Sequence, residues 1–132
     1  MSVKTLVAAL GVIFVLALVV PPAAATWEHR RRIARASSEA AAIADRLRAC
    51  APDPRVATGP GNLPTTPGDG SIQNVTVRGE VCGHALRPDP WGNGYLIGPA
   101  WVLSAGANGI LETPFPPSAG VAAGGDDVLS RR

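Results

Sequence analysis

Asp89-Pro90-Trp91-Gly92-Asn93-Gly94-Tyr95 is the stretch that decides how the rest of the chain reads. Asp, Pro and Gly within six residues specify a tight turn: Pro presets one backbone angle, Gly admits positive φ, and Asp accepts from nearby N–H groups. A strand-like pair follows, Tyr95 to Ile97 and Trp101 to Leu103, joined through Gly98-Pro99 as a short hairpin. Beyond it lies Ser104-Ala105-Gly106-Ala107-Asn108-Gly109, then a long Pro-, Gly- and Ala-rich run from Thr113 to Gly125 without periodicity, closed by Asp126-Asp127. Both ends of that loop carry oxygen-bearing side chains. The tail Ser130-Arg131-Arg132 is expected to be mobile.

Before the turn, Ser71 to Cys82 is the best strand candidate, with Ile72, Val75, Val77 and Val81 among polar residues. Ala51 to Gly70 reads as a loop punctuated by Gly and Pro. Upstream, Ile33, Ala36, Ala40, Ile43, Leu47 and Cys50 recur at spacings of three and four, a narrow apolar stripe on one α-helix. Arg35, Glu39, Asp45, Arg46 and Arg48 form its solvated face, and Pro52 and Pro54 stop it. Thr5 to Trp27 carries no charge, and at 1.5 Å per residue it reaches about 30 Å, the thickness of a bilayer core. Two readings stay open: a transmembrane helix, or a secretory signal cleaved after Ala25 in Ala23-Ala24-Ala25. Arg30, Arg31, Arg32 and Arg35 follow the run while Lys4 precedes it, so charge does not settle the topology.

The expected fold is therefore α+β: a long N-terminal helix, membrane-spanning in its first half and amphipathic in its second, packed on a small antiparallel sheet with a long C-terminal loop. The expected segments are 1–27 in the membrane, 28–50 as the amphipathic helix, and 51–132 as a β-rich head. After Cys50, 11 Pro and 14 Gly fall among 82 residues, so the head can bury only a thin core. Such a core calls for a staple. Cys50 and Cys82 could form one if the head lies outside the cytoplasm, or could remain two thiols.

A net charge of +2, with no interleaving of basic and aromatic residues, speaks against nucleic acid. No Gly-x-Ser-x-Gly, phosphate loop or His-Glu-x-x-His occurs, and two Cys with two His are too few for a closed zinc site without borrowed carboxylates. No enzyme is expected. The loop oxygens suit a hard cation better: Asn108, Asp126 and Asp127 offer side-chain oxygens, and Ala105, Ile110 and Thr113 offer backbone or hydroxyl oxygens.

Several patches, in order, resemble the major pseudopilin of the type II secretion system (general secretion pathway protein G), in the type IV pilin-like class. Gly61-Asn62-Leu63-Pro64-Thr65-Thr66 is similar to that family's Gly-x-Tyr-Pro-Thr-Thr element, and Asp89-Pro90-Trp91-Gly92-Asn93-Gly94-Tyr95 to its Asp-Pro-Trp-Gly-Asn-Pro-Tyr turn. Ser104 to Gly109 is similar to its Ser-Leu-Gly-x-Asp-Gly element, and Asp126-Asp127 to its closing acidic pair. The resemblance implies a structural subunit anchored once in the inner membrane, its C-terminal domain in the periplasm. It would assemble with copies of itself, other pseudopilins and inner-membrane assembly proteins to support protein export. It implies calcium in the C-terminal loop, held by Ala105 and Ile110 through backbone oxygens with Asn108, Thr113, Asp126 and Asp127, and a structural role for Asp89, Pro90, Trp91 and Gly92. The chain departs from the family in three ways: no prepilin cleavage site, Asn108 in place of the loop Asp, and a longer loop over Pro114 to Gly125.

Overall fold

A computed structural model of the chain describes residues 3–50, 55–68, 72 and 74–131, without the side chains of residues 5, 6 and 16–23. Helix α1 runs Val3–Ala49, and the chain divides into two compact units, Met1–Arg31 and Arg32–Arg132, each described by itself. Within the first unit Val7, Leu10, Val12, Ile13, Phe14 and Val15 are exposed, and the Arg31 guanidinium lies 4.7 Å from the centre of the Trp27 ring. Among the described residues no helix is long and apolar enough to cross a membrane. Part of the expected span, Leu16 to Ala23, has its side chains outside the described residues.

The second unit is built on a five-stranded sheet. Strands β1 (Ala57–Thr58), β2 (Thr76–Val77), β5 (Leu96–Ile97), β6 (Trp101–Ser104) and β7 (Val128–Arg131) are arranged β2-β1-β5-β6-β7. β1 and β2 are parallel and the remaining pairs antiparallel. A separate hairpin pairs β3 (Glu80–Val81) with β4 (His84–Ala85). Its turn residues Cys82 and Gly83 both have positive φ, 53° and 76°, the signature of a two-residue turn that matches strand twist.

Why the sheet is buried on both sides follows from the pleat. Successive side chains of a strand face opposite ways. Ile97 and Val102 pack with Tyr95, Val81, Leu86 and the helix residues Ala40, Ile43, Ala44 and Leu47. Their neighbours Leu96, Trp101 and Leu103 pack with Ile72, Ala105 and Leu111, with Phe115 and Leu129 at the edge. Three layers result: helix, sheet, closing loop. The buried helical stripe Ala36, Ala40, Ile43, Ala44 and Leu47 matches the sequence pattern and adds Ala44. Small residues at 36, 40 and 44 permit close approach, while Ile43 and Leu47 supply bulk, each contributing about 1.5–3 kcal/mol on full burial. On the flank of that stripe the Tyr95 hydroxyl donates to Glu39 at 2.8 Å, and the other Glu39 oxygen takes the Arg35 Nε–H at 2.7 Å.

Two expectations change. The tail is not free: Ser130 and Arg131 belong to β7, where Trp101 pairs with Arg131 and Ser104 with Val128. Arg131 also donates to the carbonyls of Ser118 and Val121, and its own carbonyl accepts from Arg48 of α1 at 3.3 Å. Ser71 to Cys82 is not one strand but the pieces β2 and β3, separated by Arg78 and Gly79. Of the remaining predicted features, the Tyr95–Leu103 hairpin is present, and the cysteines are joined: Cys50 and Cys82 form a disulfide with Cα atoms 6.1 Å apart. The bridge ties the end of α1 to the β3–β4 turn.

The Asp89 turn is locked from within. Asp89, 4% exposed, accepts from the backbone N–H of Trp91 and of Asn93 on one oxygen, both at 2.9 Å, and from the Ser104 hydroxyl on the other at 2.6 Å. Asn93 then donates through its amide to the Gly106 carbonyl at 2.9 Å. Turn and hairpin exit are one hydrogen-bonded unit; Pro90, Trp91 and Gly92 form its outer, half-buried edge.

Replacing both cysteines by alanine is expected to lower unfolding stability by about 3–4 kcal/mol, the loop-closure value for a bridge spanning 32 positions. Chemical denaturation of the oxidised protein and the double variant measures it. Equal stabilities would show that the bridge adds nothing.

Candidate metal centre in the closing loop

The closing loop leaves β6 at Ser104 and returns to the sheet at Val128. It has no strand of its own between those points apart from an isolated bridge of Ile110 to Thr65. Its backbone donors therefore need side-chain acceptors. The two closing aspartates provide them. Asp126 Oδ2 accepts from the N–H of Ala107 at 2.6 Å and of Asn108 at 3.1 Å. Asp127 Oδ2 accepts from Glu112 at 2.9 Å and Thr113 at 2.6 Å. In return, Glu112 Oε2 accepts from the Asp126 N–H at 3.1 Å, and the Thr113 hydroxyl oxygen accepts from the Gly124 N–H at 3.0 Å. Each aspartate thus clamps one end of the loop with a single oxygen.

The second oxygens are the notable part. Asp126 Oδ1 and Asp127 Oδ1 are both shut off from solvent and have no hydrogen-bond partner. Burial pushes the Asp127 carboxyl above its ordinary range, with the Asp126 charge adding to the rise and the bonds from Thr113 and Glu112 opposing it. Beside them stands Glu112, and the three carboxylates each offer an oxygen within 4.8 Å of the others. Oxygens that share one calcium ion at about 2.4 Å lie no more than about 4.8 Å apart, so the spacing fits a single hard cation. An ion there would give the two orphaned oxygens the partner they lack and reverse the electrostatic penalty of three neighbouring carboxylates.

Two glycines make the cluster compact. Gly106, at φ 64°, passes so close to Asp126 that a Cβ would strike its backbone carbonyl. Gly125, at φ 50°, lies against the Glu112 carboxylate in the same way. A side chain at either position would push the carboxylates apart.

Of the six expected ligands, Asp126 and Asp127 are brought together with Glu112. Thr113 is buried beside them, its hydroxyl turned to Gly124. Asn108 spends its side-chain oxygen on the Ile110 N–H at 2.8 Å, closing a local turn. Ala105 is buried among the residues packed under the sheet, and Ile110 is exposed at its bridge to Thr65. Glu112 went unnoticed in the sequence, where it stands between Leu111 and Thr113 without a motif. The signal available was its position: one residue before the Thr113–Gly125 run, hence at the loop base opposite Asp126-Asp127.

No family model, no curated protein and no solved structure matches the chain.

Truncating Asp127→Ala strands two backbone donors, and in the presence of chelator it is expected to cost about 2–4 kcal/mol. Asp126→Ala, whose two donors are more exposed, should cost less. Urea unfolding of both variants ranks them; a larger loss at Asp126 would contradict the loop-clamp geometry.

Proposed function

We propose that the chain is a structural, non-enzymatic pilin-like subunit of a type II secretion pseudopilus. In this reading the uncharged run from Thr5 to Trp27 anchors it once in the inner membrane, with the head in the periplasm. The subunit assembles through its N-terminal helix with copies of itself and other pseudopilins, on inner-membrane secretion proteins. The observation that carries the reading is the joint arrangement of the resembling patches. The Asp89 turn is bonded to the end of the β5–β6 hairpin, and that hairpin lies within the sheet. The acid-closed loop packs on one sheet face while α1 residues Ala40 to Leu47 pack on the other. These patches resemble the family's in sequence order. The disulfide agrees with an oxidising compartment. Calcium is the ion the resemblance implies, and Glu112, Asp126 and Asp127 would hold it, supplying a charge that fixes the loop base.

A second reading has its own support. The described core lies within Arg32–Arg132, so cleavage after Ala25 would leave a head with its core intact, exported as a soluble periplasmic protein. Intact mass of the protein recovered from its native cells separates the two: retention of the apolar segment fits the anchored subunit, and a mature chain beginning at Thr26 sinks it. Assembly is tested by introducing one thiol, since both native cysteines are bridged. On oxidation in membranes Phe14→Cys is expected to give crosslinked dimers, one thiol per copy allowing one link, and Ala122→Cys in the head loop is expected not to.

Calcium binding predicts a rise in thermal midpoint of the full chain that chelator reverses. At a calcium concentration about 100 times the dissociation constant the gain is about 2.7 kcal/mol. Asp127→Asn should remove most of the response. An equal midpoint with millimolar calcium and with chelator would reject the ion.

A further inference from the structure

A second feature lies on the opposite side of the sheet from the closing loop. A cavity of about 290 Å3 opens between the solvated edge of α1 and the β3–β4 hairpin, lined by Glu39, Ala42, Ile43, Arg46, His84, Ala85, Leu86, Arg87 and Tyr95. Its floor is apolar: Ile43 and Leu86 are buried members of the core on that face. Its polar groups are unequal in what they have left to offer. Both oxygens of Glu39 are engaged, one by Arg35 and one by Tyr95, so the only carboxylate in the lining is already neutralised. Burial and the Glu39 carboxylate push the Tyr95 hydroxyl up, which keeps it a donor to that carboxylate. Among the described residues, no side chain pairs with the guanidinium of Arg46 or Arg87 or with the imidazole of His84. Two arginines and a histidine with no side-chain partner among the described residues line an apolar recess, an arrangement suited to an anion with an apolar body.

We propose that this cavity between α1 and the β3–β4 hairpin binds a carboxylate carried on a small apolar group, with Arg46 and Arg87 holding the carboxylate and Ile43 and Leu86 receiving the apolar part. The volume is at the lower end for ligand pockets, enough for one aryl- or alkyl-sized group and not for an extended molecule. Arginine suits the task because its planar donors meet a carboxylate in pairs. The disulfide has a part in forming the recess: it fastens the β3–β4 turn to the end of α1, holding the hairpin wall against the helix wall. The inference stands apart from the pseudopilin reading, since every lining residue lies within Arg32–Arg132.

The test is a titration of the full, oxidised chain with phenylacetate and with its uncharged counterpart phenylacetamide, followed by backbone amide NMR shifts. Phenylacetate is expected to shift Ala42, Leu86 and Arg87 with a millimolar dissociation constant, and phenylacetamide to bind about tenfold more weakly or not at all. Arg46→Gln and Arg87→Gln should each weaken phenylacetate about tenfold while leaving the thermal midpoint within about 3 °C, since Arg87 is exposed and Arg46 half-buried and neither belongs to the apolar core. Acid and amide binding alike would overturn the proposal, as would shifts mapping elsewhere or glutamine variants that bind as the parent does. A third arm uses the peptide acetyl-Phe-Asp-amide. Tighter binding of the peptide than of phenylacetate assigns the carboxylate to a protein partner, and weaker binding assigns it to a free small molecule; either result upholds the carboxylate chemistry.

Discussion

Strands of two to four residues cannot satisfy the backbone of this head, and carboxylates do much of what ladders do elsewhere. Asp89 takes three donors from two separate pieces of chain. Asp126 and Asp127 take four more from the far side of a loop. Each of these bonds joins a charged acceptor to an N–H or O–H, which makes it stronger than a neutral pair and costly to leave unmade once buried. Sheet order depends on them. The Asp89–Ser104 contact fixes where β6 ends relative to the turn before β5, and the aspartate clamps deliver the chain to β7, which completes the sheet.

The same devices explain how so Gly- and Pro-rich a chain acquires two apolar layers. The helix face is conventional: a stripe at helical spacing lies on Ile97 and Val102. Among the described residues the other face has no second helix. Leu96, Trp101 and Leu103 are covered by Leu111, Phe115 and Ala105, which the loop brings to them. The Trp101 ring meets the Phe115 ring edge to face at 5.7 Å, an orientation favoured by the ring quadrupoles. A loop can serve as a core layer only if its ends are held, because its own backbone contributes no ladder. Carboxylate clamps at its base and Arg131 on the carbonyls of Ser118 and Val121 supply that hold.

What the sequence disclosed divides along the same line. The helical stripe was legible because period and composition agreed over several turns, and the Tyr95–Leu103 hairpin because Gly98-Pro99 separates two β-prone triplets. Structure set by partners distant in sequence was not. Val128 to Arg131 is too short, with Ser130 and Arg131 as half of it, to carry a local strand signal; it is a strand because the edge of β6 is there to pair with it. Ala57–Thr58 owes its strand state to Leu96–Ile97 in the same way. Ser71 to Cys82 looked like one strand because its valines alternate roughly, whereas Arg78-Gly79 turns the chain so that Val77 is exposed and Val81 buried. In the candidate metal centre the acidic pair was visible as a pair. Glu112 was not, since its closeness to Asp126 and Asp127 is made by loop closure and leaves no spacing rule behind.

Loop length bears directly on whether such a centre can form. Pro114 to Gly125 is longer than the segment the resembling family would supply, which on sequence grounds weakens the case for an ion there. In the structure the extra residues are pinched off at their base: the Thr113 hydroxyl accepts from the Gly124 N–H, the Gly124 carbonyl accepts from the Asp127 N–H at 2.9 Å, and Asp127 reaches back to Glu112 and Thr113. Residues 114–123 thus lie outside the contacts that set the three carboxylates together. The entropy of closing a flexible loop grows only as the logarithm of its length, about 0.6 kcal/mol for each doubling, so added residues beyond a closed base cost little. The geometry of the cluster is decided by Gly106, Gly125 and the clamps, and lengthening the loop between 113 and 124 leaves each of these in place.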